Sequence, residues 1–468
     1  MLRPMGRGWF VAVVVVASLS GCTHRFECRA HGGDEVRRIE SEHFVVASDL
    51  PLATMRAETR KLEQLWDAWV VFFGHAPEGS ARLQVVLSPP GASSEFIENT
   101  AGFVRFAVPA LLFSTVTVTT GTDGKEVSYS SNAHELVHLV SHFWLPRQPR
   151  WLSEGLATYL GDARFVRDSV IRMGRWQWEG GTVDSLDDLW AWDQVHEEVE
   201  RERVLYKSAW AWIHYFSNRD EGRLARLWAL LPKRASPRAA FEEIFPREEW
   251  PALKVKVQAY LDEGRYRGWE TRVTREPELG EATTLAPWEV HLLRRSYLDS
   301  SRKRRDETRK ALALTPTPTA ELVLARFEDE YRGPELSTVL DALPNDPRAM
   351  QLAAQAPDLP PRRRFQLLEQ ALDARPDDVT LLADFAFEAL QRNDPRALEA
   401  AEKAIALAPW WPAPHFQRAR ALAQAHRCED ARQALDEIEG LVNDGNARLP
   451  QQIANARALL KKTCEVAP

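Results

Sequence analysis

Cysteine is scarce in this chain, with four residues in 468, too few for a disulfide scaffold. An excess of basic residues is also missing. Sixty lysines and arginines face sixty-seven acids, a net charge of −7. That balance argues against nucleic acid as the main partner, because phosphate binding needs a basic surface. Nor does the amino-terminal apolar run, Trp9 to Leu19, reach across a bilayer: as a helix it spans about 16 Å against a hydrocarbon core of about 30 Å. With 44% hydrophobic and 27% charged residues, wholesale disorder, collagen and a multispan membrane protein are excluded. What is plentiful is aromatic: seventeen tryptophans and nineteen phenylalanines, enough for a large core.

Met1 to Gly8 holds Arg3 and Arg7 and no acid, ahead of the short apolar run. That order is a secretory signal. The stretch Leu19-Ser20-Gly21-Cys22 resembles a bacterial lipobox. The resemblance implies removal of residues 1–21 and lipidation of Cys22. Several acyl chains on Cys22 would anchor the mature protein firmly in the membrane where one would not. Thr23 in place of Asp implies the outer membrane, facing the periplasm. In an exported protein thiols can pair. Cys428 and Cys464 could bridge, leaving Cys28 in a flexible linker, or remain as buried free thiols.

A polar tether is expected over 22–35. Strands follow at 43–47, 82–87 and 112–120, and Leu62, Leu65, Trp66, Trp69 and Phe73 mark an amphipathic helix over 53–73. From Ser131 the pattern is helical to the end of the chain. Residues 273–287 are polar, proline-bearing and aperiodic, the mark of a domain boundary. Beyond them, helix endings recur at Pro316, Pro344, Pro376 and Pro409. Their intervals of 28, 32 and 33 residues, approaching a 34-residue period, resemble a degenerate tetratricopeptide-like solenoid.

The chemistry-bearing stretch is HELVH at 134–138, followed by WLSEGLATY at 151–159. His134 and His138 lie one turn apart on one helix face. That spacing lets two imidazoles converge on one zinc ion. Glu135 sits beside His134, where it can take a proton from water at the ion's open position. His142 continues the face but lies about 12 Å from His134 along the axis, a packing position. Glu154 fits as third ligand. The helix climbs about 9 Å beyond His138, turns at Pro146 and Pro149, and a returning helix descends about 6 Å to Glu154. Asp162, past the helix-ending Gly161, fits less well. Trp144 occupies the place where a metzincin has its third ligand, which excludes that class.

With these two motifs the chain resembles the gluzincin metallopeptidases of the MA clan, closest to bacterial peptidase-MA-like exported proteins. The resemblance covers roughly Val36 to Tyr266. It implies one zinc per chain on His134, His138 and Glu154, Glu135 as general base, and a peptide or protein substrate. Four residues after Glu154, where the thermolysin branch has an aspartate, stands Thr158, so support for the ligands must come from it more weakly or from elsewhere. Related enzymes stabilise the oxyanion with a downstream tyrosine or histidine, which implies Tyr206 here, with His214 a core residue. The strand ahead of the metal helix, Thr115 to Thr119, could pair with an extended peptide.

The expected fold is α+β: a zincin-like domain over 36–272, a linker over 273–287 and an all-α repeat domain over 288–468. The expected function is a membrane-anchored zinc metallopeptidase whose repeats hold substrate or a protein partner. The alternative is an inactive zincin-like adaptor lipoprotein acting through its repeats. Four intact site residues favour the enzyme.

Overall fold

The computed structural model describes residues 26–77, 82–88, 115–119, 132–167, 169–192, 199–233, 236–264, 266–298, 300–315, 317–439, 441 and 449–465. Residues 1–21, expected to be a signal segment, and Cys22 lie outside the described residues. Strands β1 (Arg37–Glu40), β2 (Phe44–Ser48), β3 (Leu83–Ser88) and β4 (Thr115–Thr119) share a sheet, with helix α1 (Leu52–Phe73) between β2 and β3. Then come α2 (Asn132–Trp144), α3 (Arg150–Gly161), β5 (Arg164–Arg167), β6 (Val170–Met173), α4 (Leu186–Trp190), α5 (Val199–Arg219), α6 (Glu221–Leu230), α7 (Pro237–Ile244), α8 (Trp250–Glu263), β7 (Trp269–Arg272) and β8 (Thr283–Thr284). The rest is helical: α9 (Pro287–Tyr297), α10 (Ser301–Ala313), α11 (Ala320–Glu330), α12 (Val339–Ala342), α13 (Pro347–Ala353), α14 (Pro361–Ala374), α15 (Val379–Leu390), α16 (Arg396–Leu407), α17 (Pro412–Gln424), α18 (Cys428–Glu439) and α19 (Leu449–Glu465). This is an α+β chain, mostly helical, with a small mixed sheet near its amino terminus. No described helix is long and apolar enough to cross a membrane.

The sheet runs β4-β3-β2-β1-β8, parallel across β2-β3-β4 and antiparallel across β2-β1-β8. Both of its faces are covered, and the strand residues alternate accordingly. Leu83, Val85 and Leu87 join Phe44 and Val46 in the main core with Leu62, Leu65, Trp66 and Trp69 of α1. Val86, Ala47 and Val36 turn to the other face, against Phe26, Cys28, Val290 and Leu293. The segment expected to be a tether therefore differs: Phe26 and Cys28 are buried, because the sheet's second face needs an apolar cover. The boundary segment is not a bare linker either, since Thr283 and Thr284 pair with Arg38 and Arg37 at the sheet edge.

A second difference lies in 164–173. The helical pattern expected from Ser131 onward is interrupted by an antiparallel sheet of β5, β6 and β7. Its alternating segment Val170-Ile171-Arg172-Met173 buries Ile171 and Met173, a period of two rather than 3.6. In the carboxy-terminal half, helices α13 to α16 extend the main core. Side-chain amides repeat at one interval: Gln417 donates to the Ala383 carbonyl and Gln424 to that of Leu390, each 34 residues apart. Phe143 of α2 meets Trp410 edge to face at 4.9 Å, so the helical half packs directly on the helix that carries HELVH. Cys428 and Cys464 are disulfide-bonded and join α18 to α19, whereas Cys28 is free and buried.

Three buried histidines stay neutral in the fold. Burial pushes the rings of His142, His214 and His415 down to about 3, 4 and 4. His214 donates from Nε2 to the Gly174 carbonyl and accepts at Nδ1 from the Tyr260 hydroxyl. An unfolded histidine protonates near 6.5. Below that pH the unfolded chain binds more protons than the folded one, so stability falls as pH falls. The slope reaches up to about 1.4 kcal/mol per pH unit for each histidine until its folded value is approached. Urea midpoints between pH 7 and 5 should drop accordingly, and His415→Gln should remove one histidine's share of that slope. An unchanged slope in the variant would contradict a neutral His415.

Candidate metal centre

The site is built on a helical hairpin and closed by a third helix. HELVH lies in α2, so His134 and His138 sit one turn apart; Leu145 to Pro149 reverses the chain, and α3 returns alongside. The two Nε2 atoms are 3.1 Å apart. Glu154 Oε2 lies 3.4 Å from His134 Nε2 and 3.2 Å from His138 Nε2. Tetrahedral ligands each about 2.0–2.1 Å from one ion stand roughly 3.3 Å apart, which is the spacing of these three atoms. All three side chains are largely enclosed, with 15–22% of each exposed.

The donor chemistry agrees with the geometry. Glu154 Oε2 is buried and, apart from its contacts with the two imidazole nitrogens, meets no hydrogen-bond partner among the described residues. A buried carboxylate oxygen left in that condition is costly, and a cation shared with the two imidazoles removes the cost. Burial pushes the Glu154 carboxyl up, but the facing His134 and His138 outweigh it and hold the group well below the usual carboxylate range. His138 Nδ1 is 2.9 Å from Ser153 Oγ. With Nδ1 donating to that hydroxyl, the Nε2 lone pair points into the site.

Helix α5 supplies the fourth element. It approaches α3 so closely at Gly155 that a β-carbon there would stand 2.8 Å from the Ala209 carbonyl oxygen and 2.9 Å from Ile213 Cγ1. That approach brings Tyr206, one turn before Ala209, to Glu154, and its hydroxyl donates to Glu154 Oε1 at 3.1 Å. Burial, then the charge of Glu154, pushes the Tyr206 phenol up to about 12, so it remains a proton donor at neutral pH. Trp192 packs edge to face on the Tyr206 ring at 4.9 Å. Arg150, paired with Glu202 at 2.9 Å, lies over Trp192 at 4.8 Å.

His134, His138, Glu154 and Tyr206 thus come together. The Glu135 side chain lies outside the described residues, although its backbone belongs to α2. His142 is buried beyond the site and accepts at Nδ1 from Gln148. Asp162 stands apart from the cluster, 3.7 Å from Arg164. His214 is core. Among the described residues it is Ser153 that meets a ring of the cluster, at His138 Nδ1. The sequence signal for it is a hydroxyl on the residue preceding the glutamate, turned toward the neighbouring helix. No family model, no curated protein and no solved structure matches this chain.

Proposed function

We propose that this protein is a zinc-dependent peptidase of the gluzincin type. In this reading it is exported, lipid-anchored at Cys22 and held on the periplasmic side of the outer membrane, with its helical half binding substrate or a protein partner. The observation that carries the reading is the convergence of His134, His138 and the buried Oε2 of Glu154, with a protonated Tyr206 beside them. A zinc ion held by these three residues supplies Lewis-acid polarisation and lowers the pKa of water. The chain supplies the rest. Ser153 orients His138, Glu135 accepts the proton of the attacking water, and Tyr206 donates toward negative charge developing on the scissile carbonyl oxygen. Strand β4 is the last strand of the described sheet and makes contact with α2; in this reading its outer edge pairs with an extended peptide.

Metal analysis of the purified mature protein beside His134→Ala tests the reading. The variant should lose one equivalent of zinc and all cleavage of a peptide library. Zinc content unchanged by His134→Ala would overturn the site. Zinc lost as expected, in a wild type that cleaves no peptide, would leave a metal-holding adaptor instead of an enzyme.

A further inference from the structure

A second cluster of metal-ligating side chains lies on the far face of the amino-terminal sheet, remote in sequence from HELVH. Cys28 Sγ is 3.4 Å from His31 Nδ1 and 3.4 Å from His291 Nε2, and the two ring nitrogens are 2.8 Å apart. We propose that Cys28, His31 and His291 bind a second zinc ion, which ties the amino-terminal segment to the first helix of the helical half. The sulfur-to-nitrogen distances match a tetrahedral site, where Zn–S of about 2.3 Å and Zn–N of about 2.0–2.1 Å set ligand atoms roughly 3.3–3.6 Å apart. The imidazole pair has to open by about half an ångström on that scale. His31 is exposed, so it is the ring that can shift, while Cys28 and His291 are buried.

The surroundings are built for the purpose. His291 Nδ1 lies 2.7 Å from a Glu307 carboxylate oxygen, which fixes the tautomer that presents the Nε2 lone pair to the ion. Glu307 is itself held by Arg294 Nε at 3.0 Å and Lys310 Nζ at 2.9 Å. On the other side, the Cys28 carbonyl accepts from the His31 and Gly33 amides at 2.9 and 3.1 Å. Gly32 has φ of +86°, and a β-carbon on Gly33 would stand 1.8 Å from the Glu27 carbonyl oxygen. Only glycines allow this turn, and the turn is what sets Cys28 and His31 side by side. Among the described residues no fourth protein ligand joins the cluster, so water takes the position on the exposed His31 side. One thiolate and two imidazoles suit zinc, and binding releases the Cys28 thiol proton. Two separated stretches, 28–31 and 291–307, are joined where Phe26 and Cys28 cover the sheet.

The proposal is independent of the peptidase reading, because only this site contains sulfur. The test uses the full mature protein, purified anaerobically without thiol reductant so that the Cys428–Cys464 disulfide stays closed. Wild type should carry two zinc per chain and, reloaded with cobalt(II), show a thiolate-to-metal charge-transfer band. His134→Ala should lose one equivalent and keep the band; Cys28→Ser should lose the other equivalent and the band. His31→Ala, a surface change that leaves the core intact, should weaken binding at this site at least tenfold in chelator competition. A wild type without the band, a band that survives Cys28→Ser, or zinc affinity unchanged by His31→Ala would each show a hydrogen-bonded cluster only. Copper retained in place of zinc would overturn the zinc assignment.

Discussion

Glu135→Gln should purify with the zinc content of wild type and hydrolyse peptides roughly 10²–10⁴-fold more slowly, the usual loss when a general base is removed. Glutamine keeps the size of the side chain and its place after His134 but cannot accept a proton. It makes no contribution to the ligand set, so metal analysis should not distinguish it from wild type. Tyr206→Phe separates a different role. Its hydroxyl donates to Glu154 Oε1 in this structure, which on its own would make it an orienting group for the ligand. If that were its whole role, the variant would bind zinc less tightly and turn over normally once loaded. A donor that also reaches the oxyanion costs about 10²-fold in kcat at saturating zinc when removed, and that is the expected result. Full turnover in zinc-loaded Tyr206→Phe would assign the phenol to ligand positioning alone. Full turnover in Glu135→Gln would remove the proposed mechanism.

How much of this is legible in the sequence differs from element to element, and for physical reasons. Strands β2 and β3 and helix α1 stand within one or two residues of their expected bounds, because their apolar periods of two and 3.6 report which side chains are covered. His134 and His138 are legible because helix geometry makes spacing equivalent to position. Glu154 requires only one further step, a reversal at Pro146 and Pro149. Tyr206 is another matter. It lies 52 residues from Glu154, too far for helical spacing to relate the two, and only resemblance singles it out. The second cluster is barely legible. Cys28 and His31 sit in a polar stretch with no apolar period, and His291 is 260 residues from His31. The only local signal is the Cys28-x-x-His31 spacing closed by Gly32 and Gly33. Strands β5 to β7 escape because segments of four residues are too short for alternation to stand out beside long helices.

Gly155→Val should damage both the stability and the chemistry of the site, and the cause is a single close approach. The β-carbon alone would stand 2.8 Å from the Ala209 carbonyl oxygen, and a backbone atom inside a helix cannot rotate away. Helices α3 and α5 must separate, at an overpacking cost of about 1–3 kcal/mol. Valine regains only a few tenths of a kcal/mol through its better helix propensity than glycine. The separation acts where it matters most, since Glu154 precedes Gly155 and Tyr206 lies one turn before Ala209. A shift near 1 Å in such a constellation costs on the order of 10²-fold in rate, so turnover should fall by about that factor and zinc should bind more weakly. Gly222→Ala is the matched control. That glycine lies in α6, is exposed, and its added β-carbon meets nothing within 4 Å, so alanine should stabilise the protein by up to about 1 kcal/mol and leave turnover unchanged. Urea midpoints, zinc affinity and turnover measured on both variants separate a general glycine effect from the contact at 155. If Gly155→Val matched Gly222→Ala in all three, the α3–α5 contact would not be what holds the carboxylate and the phenol together.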